Sequence, residues 1–142
     1  MRAAVCDDRA EDAAFVGKLL TEWGQARGQA VRWEAFPSAE SFLFRYAEDK
    51  VFDLLVLDIE MGGTDGITVG EELNLLLPAC QIIYLTGYLD YAPDAYATRH
   101  VYYVYKPRME EHLPKALEMA LAALHEAENS RLVLPQKNGQ LG

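Results

Sequence analysis

Cysteine, basic charge and long apolar runs are all scarce in this chain. Two cysteines in 142 residues, Cys6 and Cys80, cannot build a disulfide framework. Both sit inside apolar runs, where small buried thiols are common, so a reducing cytoplasm is the expected compartment. No apolar run approaches the roughly 18 residues of a membrane span. Met1 to Asp8 reaches charge too soon for a secretory signal and reads as a first strand. Lys and Arg number 13 against 22 Asp and Glu, a formal net charge of −9. Gripping a phosphate backbone needs clustered Lys and Arg, so the chain itself is not expected to bind nucleic acid. His100, His112 and His125 share no ligand spacing, and a solvated surface role is expected for them. Internal repeats and low-complexity segments are absent.

What is present is a hydrophobic fraction of 51%, enough for one domain with a real core. Apolar runs alternate with segments of helical period. Val5-Cys6, Asp53 to Asp58, Cys80 to Leu85 and Val101 to Tyr105 read as buried strands. Val31, Trp33 and Ala35 alternate with Arg32 and Glu34, as in an edge strand with one polar face. Phe15, Val16, Leu19, Leu20 and Trp23 mark a helical face, followed by a loop from Gly24 to Gly28. Ser38 is a candidate N-cap for a helix burying Phe42, Leu43 and Tyr46. Gly62 to Gly66 reads as a loop, Ile67 to Leu77 as a helix stopped by Pro78, and Asp90 to Thr98 as a short helix. Leu113, Ala116, Leu117, Ala120, Leu121 and Leu124 form the clearest amphipathic stripe. Five strand-helix units predict an α/β fold, a parallel sheet with helices on both faces. Beyond them, Arg131 to Leu134 and then Asn138-Gly139 read as a strand and a hairpin turn whose return strand is missing, or as a frayed end.

The strand ends carry the chemistry. Val5-Cys6 runs into Asp7-Asp8, Leu54 to Leu57 into Asp58, Ile82 to Leu85 into Thr86, and Val101 to Tyr105 into Lys106-Pro107. Carboxyl ends of strands line the ligand crevice of an open α/β sheet. One pocket would thus gather three carboxylates, a hydroxyl and an ammonium. Packed carboxylates repel unless a cation sits among them, which points to Mg²⁺ beside a carboxylate able to carry a phosphoryl group. Singly, each feature has a plain structural explanation: a solvated acidic pair, a capping Asp, a turn. Together and in this order they point to a functional pocket.

From about Ala3 to Leu124 the chain resembles a receiver domain of a two-component response regulator, on Asp7-Asp8, Asp58, Thr86 and Lys106-Pro107. Asp58-Ile59-Glu60-Met61 and Asp65-Gly66 match the usual segment around the acceptor, whereas Gly62 departs from the proline common there. The resemblance implies a doubly wound, flavodoxin-like sheet of order 2-1-3-4-5. It also implies transfer of a phosphoryl group from a histidine kinase to Asp58. Mg²⁺ would then be held by Asp8, Asp58, a backbone carbonyl of Glu60, and Asp7 directly or through water. Lys106 would neutralise one phosphoryl oxygen and Thr86 would bind another, with Tyr103 rotating inward behind it. A cis Lys106-Pro107 bond would orient the lysine. Glu60 and Tyr88 would flank the water that removes the phosphoryl group, with Tyr88 prolonging the signal. Seven of the eight tyrosines lie between Tyr84 and Tyr105, which suggests core packing plus an aromatic surface for dimerisation on activation.

The stretch Tyr84 to Tyr91 and the tail resemble regulators with a LytTR-type DNA-binding domain. This implies a receiver over residues 1–128, and a linker with the start of an output domain over 129–142. Two other functions are open. A haloacid-dehalogenase-like phosphohydrolase would also use a strand-end Asp and Mg²⁺, but it places an Asp where Glu60 stands, and its nucleophile after the first strand. A pseudo-receiver would bind partners without phosphorylation, which the intact set of site residues argues against.

Overall fold

The computed structural model describes residues 1–49, 51–60, 72–73, 75–77, 79–87 and 101–139, with side chains described as far as residue 129. Within them lie β1 (Arg2–Cys6), α1 (Ala10–Arg27), β2 (Arg32–Phe36), α2 (Ala39–Glu48), β3 (Leu54–Asp58), β4 (Gln81–Thr86), β5 (Val101–Tyr105), a 3₁₀ turn (Lys106–Arg108) and α3 (Met109–Gly139). The sheet is parallel throughout, in the order β2-β1-β3-β4-β5. That is the doubly wound order expected, with its reversal between β1 and β3.

Both faces of the sheet are covered, which is why its central strands are apolar without interruption. Ala3, Val5, Leu54, Val56, Ile83, Leu85, Tyr102 and Val104 face Val16 and Leu20 of α1 and Leu113, Leu117 and Ala120 of α3. The alternate residues Ala4, Cys6, Leu55, Leu57, Ile82, Tyr84 and Val101 face Phe42 of α2 and Leu73 and Leu77. The indole of Trp23 donates to Glu118 Oε2 at 3.0 Å, and Arg27 meets the same carboxylate at 2.7 Å, bracing α1 against α3. Cys6 and Cys80 are buried free thiols.

Local signals explain most boundaries. Ser38 caps α2, accepting from the Ser41 amide while the Ser41 hydroxyl accepts from the Ser38 amide. Helix α1 does not stop at Gly24 but runs on to Arg27, where Gly28 supplies the left-handed residue (φ 67°). Gly24 is buried, and a Cβ there would lie 2.5 Å from the Gln29 carbonyl oxygen. It is a close-approach glycine rather than a helix breaker. Phe15, assigned to the buried face by its period, is instead 39% exposed.

The tail also departs from expectation: residues 131–139 continue α3 rather than form a strand. Extending an existing helix needs no new nucleus. Residues 72, 73, 75 and 76 are helical, as the Ile67–Leu77 pattern predicts. The Gly62–Gly66 loop, the Asp90–Thr98 helix, His100 and Tyr88 lie outside the described residues.

Candidate functional site

Register brings the strand ends together. Cys6 lies opposite Leu57, Asp58 opposite Leu85, and Thr86 opposite Tyr105. The next residue on β1 is therefore Asp7, level with Asp58, and the next on β5 is Lys106. The Ile59 amide donates to the Leu85 carbonyl at 3.1 Å, carrying the β3–β4 pairing one step beyond Asp58.

Asp58 is 4% exposed. Its Oδ1 accepts from the Glu60 amide at 2.9 Å, and its Oδ2 lies 2.7 Å from Lys106 Nζ. The same ammonium is 3.6 Å from Asp12 Oδ2 and 3.8 Å from Asp7 Oδ2. Burial alone would lower the lysine's pKa. The bond to Asp58 and the field of Asp58, Asp7 and Asp12 outweigh it and hold the pKa above its ordinary value.

Asp7 is buried, and its Oδ1 accepts from the Arg9 amide at 2.9 Å. Desolvation, aided by the charges of Asp58 and Asp12, raises its pKa to about 6 against the opposing pull of that amide and of Lys106. Asp8 is exposed at the rim. Thr86 is fully buried. Its hydroxyl donates to Glu60 Oε2 at 3.2 Å, and the Gly87 amide donates to the same oxygen at 2.6 Å.

A buried Asp7 beside the exposed Asp8, a paired Asp58–Lys106 and a buried hydroxyl at the carboxyl ends of four adjacent strands are joined by a match along the sequence: residues 4–118 fit the response regulator receiver domain. The chain belongs to that family. The receiver is 29% identical over 123 residues to the transcriptional regulatory protein ZraR of Escherichia coli O157:H7, covering 85% of this chain and 26% of ZraR. It is 29% identical over 106 residues to the sensory transduction protein LytR of Streptococcus agalactiae, covering 73% of this chain and 42% of LytR. The receiver thus spans about a quarter of the one and less than half of the other.

Among solved structures, it resembles the response regulator TrrA of Thermotoga maritima, solved in complex with Mg(2+)-BeF, at 28% identity and a TM-score of 0.61 over 84% of this chain and 97% of that one. It shares the fold of a receiver domain protein from Clostridium thermocellum (TM-score 0.67, 22% identity, 89% and 96% covered).

Asp7, Asp58, Thr86 and Lys106 thus converge in the receiver, with Asp8 at the rim. Glu60 meets Thr86 and Gly87 through its carboxylate, a contact that no spacing signalled. Asp12 was missed as well. It stands in the first turn of α1, where an acidic residue reads simply as a complement to the helix dipole. The Lys106-Pro107 bond is trans, against the expected cis form. Pro107 instead sits in the first positions of the 3₁₀ turn, just after Lys106, where its missing amide and fixed φ are tolerated. Tyr103 is partly buried, its ring centroid 4.7 Å from that of Tyr84.

The residues fit a divalent cation. Asp7 Oδ2 is buried without a hydrogen-bond donor, its nearest cation being Lys106 Nζ at 3.8 Å, and a buried carboxylate oxygen of that kind suits a cation. Among the described residues, no three His, Cys, Asp or Glu side chains form a ready cage. Mg²⁺ does not need one, because it keeps several waters and takes one or two carboxylates. No helix among the described residues is long and apolar enough to cross a membrane.

Proposed function

We propose that Asp58 accepts a phosphoryl group from a phosphohistidine of a histidine kinase and that the receiver thereby switches a transcriptional output. The observation that carries this is the 2.7 Å pairing of Asp58 with Lys106 in a pocket where Asp58 is 4% exposed. A carboxylate oxygen of Asp58 forms a bond to phosphorus as the phosphorus–nitrogen bond breaks, the electron pair leaving on the imidazole nitrogen. Such transfer needs positioning and charge neutralisation more than proton transfer.

Lys106 supplies a fixed positive charge at the acceptor, and Thr86 a hydroxyl for a phosphoryl oxygen. Asp7, Asp8, Asp58 and the Glu60 backbone carbonyl would hold Mg²⁺. When bound, that ion offsets the charge of the carboxylates and of the incoming phosphoryl group. Tyr103, its ring tilted against that of Tyr84, would report the state of Thr86 to the β4–β5 surface, where activation would favour a homodimer. Tyr88 and Glu60 would set the lifetime of the signal.

The name of ZraR, a transcriptional regulatory protein, supports a transcriptional output, and the sequence stretch Tyr84 to Tyr91 favours a LytTR-type regulator. In that arrangement residues 1–128 are the receiver, residues 129–142 the linker and start of the output domain, DNA contacts belong to the output domain, and the protein is cytoplasmic. Acetyl phosphate with Mg²⁺ should add one phosphoryl group, EDTA should prevent it, and Asp58→Asn should remove it, as read by intact-protein mass. Undiminished labelling of Asp58→Asn would overturn the assignment.

A further inference from the structure

We propose that the Glu60 carboxylate is a resident anion in the seat of a phosphoryl oxygen, and that it must be evicted before Asp58 can be phosphorylated. This rests on Asp58 being the acceptor. The Ile59–Leu85 hydrogen bond holds Glu60 across from Thr86 and Gly87. The Glu60 amide serves Asp58 Oδ1, while its side chain turns to β4. One oxygen, Oε2, receives both the Thr86 hydroxyl (3.2 Å) and the Gly87 amide (2.6 Å). Two donors converging on one charged oxygen form an anion site of the kind that stabilises developing oxyanions.

These donors follow directly on Leu85, the β4 residue paired with Asp58. A phosphoryl group on Asp58 would bring three charged oxygens into the same space. It cannot share the donors with a carboxylate, and at such separations like charges repel strongly.

Gly87 completes the seat. A Cβ there would stand 2.9 Å from Glu60 Oε1 and 3.3 Å from Oε2. Its φ lies outside the left-handed region, so space rather than backbone conformation calls for glycine. Thr86 and Gly87 are therefore not idle before phosphorylation. The phosphoryl group exchanges one anion for another at these donors, and Glu60 sets a threshold against casual labelling.

The test uses Glu60→Ala, which leaves the amide to Asp58 and the backbone carbonyl in place, together with Gly87→Ala, which crowds the flexible Glu60 carboxylate out while keeping its charge. Labelling of Asp58 by acetyl phosphate at saturating Mg²⁺ should be several-fold faster in each variant, and the double variant no faster than Glu60→Ala. The ¹⁵N-attached amide proton of Gly87 should move upfield in resting Glu60→Ala as its charged acceptor is lost. Labelling of Glu60→Ala at the wild-type rate or slower, additive effects of the two substitutions, or an unmoved Gly87 amide would each overturn the inference and leave the acceptor assignment standing. Failure of the wild-type protein to be labelled would overturn both.

Discussion

Lys106 Nζ stands 2.7 Å from Asp58 Oδ2, joining the last strand of the sheet to its centre. The lysine side chain is 24% exposed and that of Asp58 5%, so the pair is largely desolvated. Lys106→Met should cost about 1–3 kcal/mol, because it leaves a buried carboxylate oxygen without its donor. Adding Asp58→Asn should recover most of that loss. Urea denaturation of both variants and the double checks it, and additive losses would refute the coupling.

Removing the charge of the lysine should also slow phosphorylation of Asp58 by at least tenfold at saturating Mg²⁺, since fixed neutralisation is most of what the site offers the transferred group. Rates with acetyl phosphate for wild type and Lys106→Met decide this.

Mg²⁺ should stabilise the protein by mass action. Millimolar Mg²⁺ is expected to raise the melting temperature by a few degrees, about 1–2 kcal/mol of binding linkage. Asp8→Ala should remove most of the rise. An equal response in that variant would count against Asp8 as a ligand.

The acidic cluster has a pH signature in the presence of EDTA. Asp7 is held at a pKa of about 6 by burial first, against an ordinary carboxylate value of 3.8. The folded protein therefore binds a proton that the unfolded chain releases at lower pH. The stability this proton confers is full below about pH 4 and is lost as pH rises through about 6. Asp7→Asn should flatten the slope across that window and leave a protein that melts higher than wild type at pH 7. Thermal scans from pH 4 to 8 check it.

Gly17 and Trp33 set the spacing of α1 over the edge strand. A Cβ at Gly17 would lie 2.2 Å from Trp33 Cε2 and Cζ2. Gly17→Ala should cost about 1–3 kcal/mol through overpacking, and Trp33→Leu should relieve part of that cost. Chemical denaturation of the two single variants and the double would show whether the pair is coupled.

The sheet and its chemical edge were legible because burial on two faces writes long apolar runs and a strand-end carboxylate interrupts them abruptly. Less legible was everything decided by three-dimensional approach. Gly24 resembles a breaker until the Gln29 carbonyl is seen against it. Asp12 and the Glu60 carboxylate reach the site across elements, Asp12 from the first turn of α1 and Glu60 from beyond β3, with no periodicity to announce them. The helix also continues over residues 131–139, which the strand-like residues Arg131 to Leu134 do not reveal on their own.

Cys6 and Cys80 carry a last consequence. Both are fully buried, and burial first, then neighbouring charge, pushes the Cys80 thiol to about 12 and that of Cys6 higher still. Neither thiolate nor access is available to an alkylating reagent while the fold is closed. Reaction must wait for opening, so the rate of thiol modification meters how often the sheet comes apart. Because Cys6 directly precedes Asp7, cation binding should register there as slower chemistry at sulfur, a stopwatch for site occupancy built from two native atoms.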